Sequence, residues 1–261
     1  MSRRISWPNI GPNSRPPDYL LDEEGGRSGA YSRRLRRGCA EPLGIGESEM
    51  LTVQDYATWA AKQVLERSPA SLTADWGRTR TDAIATMGPG NIFETLSLCC
   101  ALCEFLGALY LGIQGDSGSI EFKAFVDEFF PPEYRTVHNL SGQAGATSEF
   151  YTTFRSKTLH GGTPAGVTLP GNVQVIGWQI GTKLRAEHLK VINAALHVDG
   201  EQFREDLTRA AAQYADRLQA DVAMQERWRR GFWWRFKPLH LPKADWEREG
   251  NLRGIPASSP I

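Results

Sequence analysis

The chain has 261 residues, 41% of them hydrophobic and 23% charged, with thirty basic and thirty acidic side chains and a formal net charge of zero. That composition is the one expected of a soluble globular protein with room for one large domain or a domain plus tails. It excludes a bulk polyanion binder, so any nucleic-acid contact has to come from local patches.

Eight of the thirty basic residues fall within the first 37 positions. Residues 1–48 are rich in Pro, Gly, Ser and Arg and lack periodicity, so they read as an irregular arm. Its cluster Arg33, Arg34, Arg36 and Arg37 suits either a solvated tail or a contact with RNA or an acidic partner. The opening residues carry no apolar run of the signal-peptide kind. Three of the four cysteines (Cys99, Cys100, Cys103) crowd one apolar segment, which is no disulfide framework. A reducing cytoplasm is the expected compartment. Cys100 and Cys103 form a C-x-x-C, readable as a redox pair or half a zinc site. No matching second pair completes a metal site, and small thiols pack well in helix contacts, so no metal is assigned.

The first helix is predicted from Thr52, with Asp55 as its capping-box partner, to about Arg67, where Ser68-Pro69 stops it. Residues 69–90 read as mixed, with glycines marking a loop. Asn91 caps the next helix, which is almost wholly apolar from Leu96 to Ile113. It is marginal in length for a membrane span and carries Glu104 in its middle, so it reads as a central bundle helix. Glu104 is costly to bury unpaired; Arg155 is one candidate partner and an exposed position is the alternative. Glu121–Phe130 is a short amphipathic helix stopped by Pro131-Pro132. Residues 135–146 form a loop, and Thr147 or Ser148 caps the next helix.

That helix carries Tyr151, Phe154, Arg155, Ser156 and Lys157 and ends near His160, where Gly161, Gly162 and Pro164 close it. Arg155 offers a planar cationic fork suited to phosphate. His160 titrates near neutrality, and the end of a helix favours its charged form. Together they are parts for phosphodiester chemistry, or a surface arginine with a capping histidine. At about 100° per residue, positions five apart sit roughly 140° around a helix. Arg155 and His160 therefore share a face only where the last turn is distorted, and a two-fold dimer is a second way to bring such half-sites into one cleft.

After Pro164 the pattern turns to β-branched runs around Val167, Val173–Ile180 and Leu189–Val198, which suggest two or three short strands. Asp199 opens a long helix whose buried stripe is Phe203, Leu207, Ala210, Ala211, Tyr214 and Leu218. It is expected to continue through Gln225–Lys237, where five basic residues interleave with five aromatics. Arg229, Arg230, Trp233 and Arg235, together with Lys157, suit a stacking surface for single-stranded RNA. The competing reading packs Trp228, Phe232 and Phe236 on the body while the arginines snorkel.

The order of these features resembles that of HEPN-domain proteins. Arg155-Ser-Lys-Thr-Leu-His160 is similar to their Arg, four to six residues, His motif. Cys103–Gly107, Phe122 and Phe125, Pro132 and Tyr134, Tyr151-x-x-Phe-Arg, the strands and the helix at Phe203 follow in the order of a bacterial HEPN-like group. The likeness covers residues 83–220. It implies a mainly α fold, a HEPN-like helical bundle over 49–240 with a small β-hairpin or short-strand insertion before the last long helix, and a C-terminal tail over 241–261. It also implies a metal-independent endoribonuclease without cofactor, of the kind found among toxins and defence effectors. RNA would be the substrate, a homodimer would share a composite site, and an antitoxin or regulatory protein is a possible partner; no membrane is expected. Arg155 and His160 would be catalytic, with Ser156 and Tyr151 orienting phosphate and Glu104 holding Arg155. Many members place Asn, Asp or His directly after the arginine. Ser156 stands there in this chain, and that departure favours the alternative of a non-catalytic dimeric scaffold binding a protein or RNA. A nucleotidyltransferase-associated regulator is a third option, for which the sequence supplies no second domain.

Overall fold

A computed structural model describes residues 52–86, 92–114, 118–142, 145–157, 167–168 and 175–255. The chain divides into two compact units, Met1–Trp59 and Ala60–Ile261. The division falls inside the first helix, α1 (Val53–Leu65). The predicted capping box at its start is present: Asp55 N–H donates to Thr52 Oγ1 at 3.2 Å, and Thr52 N–H donates back to Asp55 Oδ2 at 3.1 Å. The arm over 1–48 lies outside the described residues.

The second unit is mainly helical with a small sheet before its last long helices. Ser68-Pro69, expected as a stop, is also a start. Ser68 is the N-cap and Pro69 the first residue of α2 (Pro69–Ala85), where proline's missing N–H costs nothing. The stretch 69–90, expected to be mixed with a glycine-marked loop, is thus a helix through Ala85. Its buried face is Ala70, Leu72, Thr73, Gly77, Thr81 and Ile84, too poor in large apolar residues to show a helical period.

At the centre lies α3 (Ile92–Leu111), packed against α2, α4 (Ser119–Phe129), α6 (Gly200–Ala220) and α7 (Val222–Arg235). By length and composition it is the one helix among the described residues able to cross a membrane, yet more than half of it is buried inside the protein. Cys99, Cys100 and Cys103 are buried free thiols in that core, and burial pushes the Cys99 thiol up to about 12. Close helix approach depends on glycine at Gly107, where a Cβ would lie 2.0 Å from the carbonyl oxygen of Glu121.

The predicted loop over 135–146 starts later than the sequence suggests. Pro132–His138 is a 3-10 helix with Tyr134, Val137 and His138 buried. Ser148 then caps α5 (Glu149–Tyr151), which runs directly into a π-helical segment, Thr152–Lys157. The sheet has order β1 (Val167–Thr168), β2 (Val175–Gly181), β4 (Ala195–Asp199), β3 (Val191–Ile192). β2 and β4 are parallel, with Trp178 opposite Leu196. The run Leu189–Val198, which reads as one strand, is folded in two by Asn193 and Ala194 at φ of 50° and 58°, the two-residue left-handed turn of a tight hairpin.

All six stripe residues predicted for α6 are buried, and Asp199 caps it by accepting from Gln202 N–H at 2.8 Å. The helix does not continue: Asp221 leaves the α-region and caps α7. Residues 241–255, expected as tail, hold α8 (Lys243–Leu252), whose Trp246 is fully buried.

Candidate functional site

The predicted α-helical run through Arg155 and His160 begins as expected and then changes winding. Phe150 and Phe154 are both fully buried, with ring centroids 4.6 Å apart, and Phe154 also meets Trp178 of β2 at 4.6 Å. These rings fix the segment against core and sheet. From Thr152 its hydrogen bonds follow the π register, i→i+5, a form concentrated at functional sites. His160 lies outside the described residues, as does the side chain of Lys157.

Three of the predicted site residues converge. Glu104 projects from α3 toward the π segment with its side chain 13% exposed. Its Oε2 accepts from the Tyr151 hydroxyl at 2.8 Å and lies 3.6 Å from Arg155 Nε. The latter is a charge contact rather than a hydrogen bond. Of the two readings of Glu104, paired or solvent-facing, the paired one is what the structure holds. Burial, and then the Glu104 carboxylate, push the Tyr151 phenol well above its ordinary value, so it stays a neutral donor. Glu104 approaches Arg155 at Nε, and the Arg155 side chain is 28% exposed. Ser156 is half-buried and makes no hydrogen bond among the described residues. The arrangement is an arginine fork held at its base beside a hydroxyl, suited to a phosphate or another oxyanion.

The second predicted patch is dismantled by burial. Trp233 is fully buried and stacks on Trp246 at 4.0 Å with 6° between the planes. Each indole N–H donates to the other residue's carbonyl, at 3.3 and 3.0 Å. Arg230 is buried as well. Neither is open to a base or phosphate, and the packing reading of α7 is the observed one, with Trp228 and Phe232 in the core. Arg229 and Arg235 are half-buried at its edge.

Sequence reasoning read Ser148 only as a candidate helix cap and did not single out Asp127 or His138. His138 Nδ1 lies 2.7 Å from Ser148 Oγ, and His138 Nε2 lies 3.3 Å from Asp127 Oδ1. The order resembles a serine-hydrolase triad, but Ser148 is fully buried and its hydroxyl accepts from Tyr151 N–H at 3.3 Å. The group is a helix cap, not a nucleophile. Burial pulls the His138 imidazole down to about 4, against the pull of Asp127, so the ring is neutral. Ser148 O–H can then donate to Nδ1 while its lone pair caps the helix. No cluster of metal-ligating side chains occurs among the described residues. Compared with family models, with characterised proteins and with solved structures, the chain finds no match.

Proposed function

We propose that the chain is a HEPN-type, metal-independent endoribonuclease working as a homodimer. The observation that supports this best is Arg155 inside a π-helical segment, its Nε facing a Glu104 carboxylate that Tyr151 holds by a hydrogen bond. In this reading the Arg155 fork binds the scissile phosphate and stabilises charge growing on its oxygens in the transition state. The 2′-oxygen of the RNA attacks phosphorus and the bond to the 5′-oxygen breaks, giving a 2′,3′-cyclic phosphate and a 5′-hydroxyl. One His160 takes the 2′-hydroxyl proton, and His160 of a second copy gives a proton to the leaving oxygen. Such help is worth roughly 10²–10⁴-fold in rate.

The test is incubation of purified protein with labelled RNA and, separately, with DNA of the same sequence. Cleavage of RNA alone, unaffected by a chelator and lost in both Arg155→Ala and His160→Ala, is expected. Intact RNA with a normally dimeric wild type would sink the enzymatic reading. One observation favours a second reading, the non-catalytic scaffold: burial of Trp233 and Arg230 removes the expected RNA-stacking surface on α7.

A further inference from the structure

Successive residues of α3 reach two different arginines. Glu104 holds Arg155. Phe105, about 100° further round the helix, stacks with Trp76 of α2 at 5.5 Å and 18°. Over this pair lies Arg80, its guanidinium carbon 4.2 Å from the Trp76 centroid and 5.7 Å from that of Phe105. Phe232 of α7 closes the cluster from below, edge-on to Trp76 at 5.1 Å. Between Glu104 and Phe105 the outward strip of α3 carries Ala101, and Leu98, 46% exposed, lies just past Phe105 around the helix.

Arg80 is exposed and has no carboxylate or carbonyl partner among the described residues. Its neighbour Arg78, by contrast, is tied to Asp75 at 2.8 Å. A guanidinium laid flat on an aromatic ring keeps one face and its N–H edges open to solvent. The open face stacks on a base and the edges bond phosphate. That pair of capacities fits single-stranded RNA, whose bases are unstacked and free to be covered.

We propose that Arg80, seated on Trp76 and Phe105, is a docking point for single-stranded RNA. The strand crosses the α3 strip toward Arg155. The direction toward Arg155 rests on the ribonuclease reading, whereas the docking point does not.

The experiment measures anisotropy of a fluorescein-labelled oligouridylate against the full chain carrying His160→Ala, so that RNA stays intact. Arg80→Gln should weaken binding roughly 5- to 150-fold, the worth of one stacked base. It should also make the salt dependence shallower by about 0.7 in log–log slope, the share of a single phosphate. Arg80→Lys, which keeps the charge without the flat stack, should keep the slope and still bind more weakly. Thermal melts equal to the parent's show that the exposed substitutions leave the fold intact.

Arg80→Gln binding within about twofold of the parent overturns the proposal. So does a parent that binds no RNA, or competition by polyglutamate as effective as that by unlabelled RNA, which would assign the surface to an acidic polypeptide. With His160 restored, RNA cleaved equally well by wild type and Arg80→Gln refutes the docking point alone. RNA held through Arg80 but never cleaved refutes the ribonuclease alone.

Discussion

Glu104 is a carboxylate in an apolar helix, and its environment explains why it is tolerated. One oxygen takes a hydroxyl hydrogen bond and faces a guanidinium, so the charge is compensated from two directions. The compensation is mutual, and removing Glu104 strands Tyr151 and Arg155 together. Glu104→Leu should therefore cost about 1–3 kcal/mol in urea unfolding, the penalty for buried polar groups left without partners. Glu104→Gln, which can still accept from Tyr151, should cost less. A double-mutant cycle with Arg155→Met should return a coupling of roughly 1 kcal/mol. Zero coupling would mean that the contact is incidental to the position of Arg155. The residue pairing is within reach of the sequence because a lone carboxylate among Cys, Leu and Phe demands a cation. Tyr151 as the second donor is not, since its reach to Glu104 depends on how α3 and α5 cross.

At the scale of elements, the sequence is legible wherever large apolar residues keep a helical period or a cap is spelled out. The stripe of α6 and the caps Thr52, Ser148 and Asp199 are such places. It is opaque where burial is achieved with small or polar side chains. α2 buries Thr73, Gly77 and Thr81, with Gly77 so close to α6 that a Cβ would meet that of Ala211 at 3.1 Å. α8 announces itself through one tryptophan, Trp246, whose stacking partner Trp233 belongs to a different helix. The π winding carries no periodic signature over six residues. Close approach is also how α3 and α4 fit together. Gly107→Ala would drive a methyl into the backbone of Glu121, not into a side chain able to move aside. Overpacking against a backbone should cost about 3 kcal/mol, read as a lower urea midpoint. An alanine variant as stable as wild type would show that the two helices slide apart without penalty.

Across the whole molecule, two neutral histidines tie separate segments together. His188 accepts from Asp199 N–H at Nδ1, at 2.9 Å, so its proton sits on Nε2, facing the Tyr134 hydroxyl at 2.8 Å. Tyr134 in turn donates to the buried Asp206 at 2.7 Å. The chain of bonds clasps the segment before β4 to the helices, and protonation at Nδ1 would set two donors against each other. Burial lowers the affinity of His188 for a proton, and that of His138, flanked by Asp127, Lys123 and Ser148, falls to about 4. An unfolded chain binds protons at these rings from an ordinary value of 6.5. Stability should thus be full above that value and decline as pH falls toward 4, by on the order of a few kcal/mol. Urea unfolding at about pH 7.5 and about pH 4.5 measures it, and His138→Gln should flatten the slope. A wild type equally stable at both would refute the assignment of neutral rings.

The π segment has a consequence at the level of the gene. A π turn holds one residue more than the α turn it replaces, so Thr152–Lys157 is one codon longer than an ordinary helix needs. In-frame loss of that codon, at exposed Thr152 for instance, leaves overall charge untouched and spares the aromatic core. It would relax the segment to α winding and, because the π turn is what absorbs the extra residue, leave the downstream chain on nearly the face it already occupies. Arg155 would then still face Glu104. A triplet deletion that reads as a register shift in the sequence is one this segment is built to absorb.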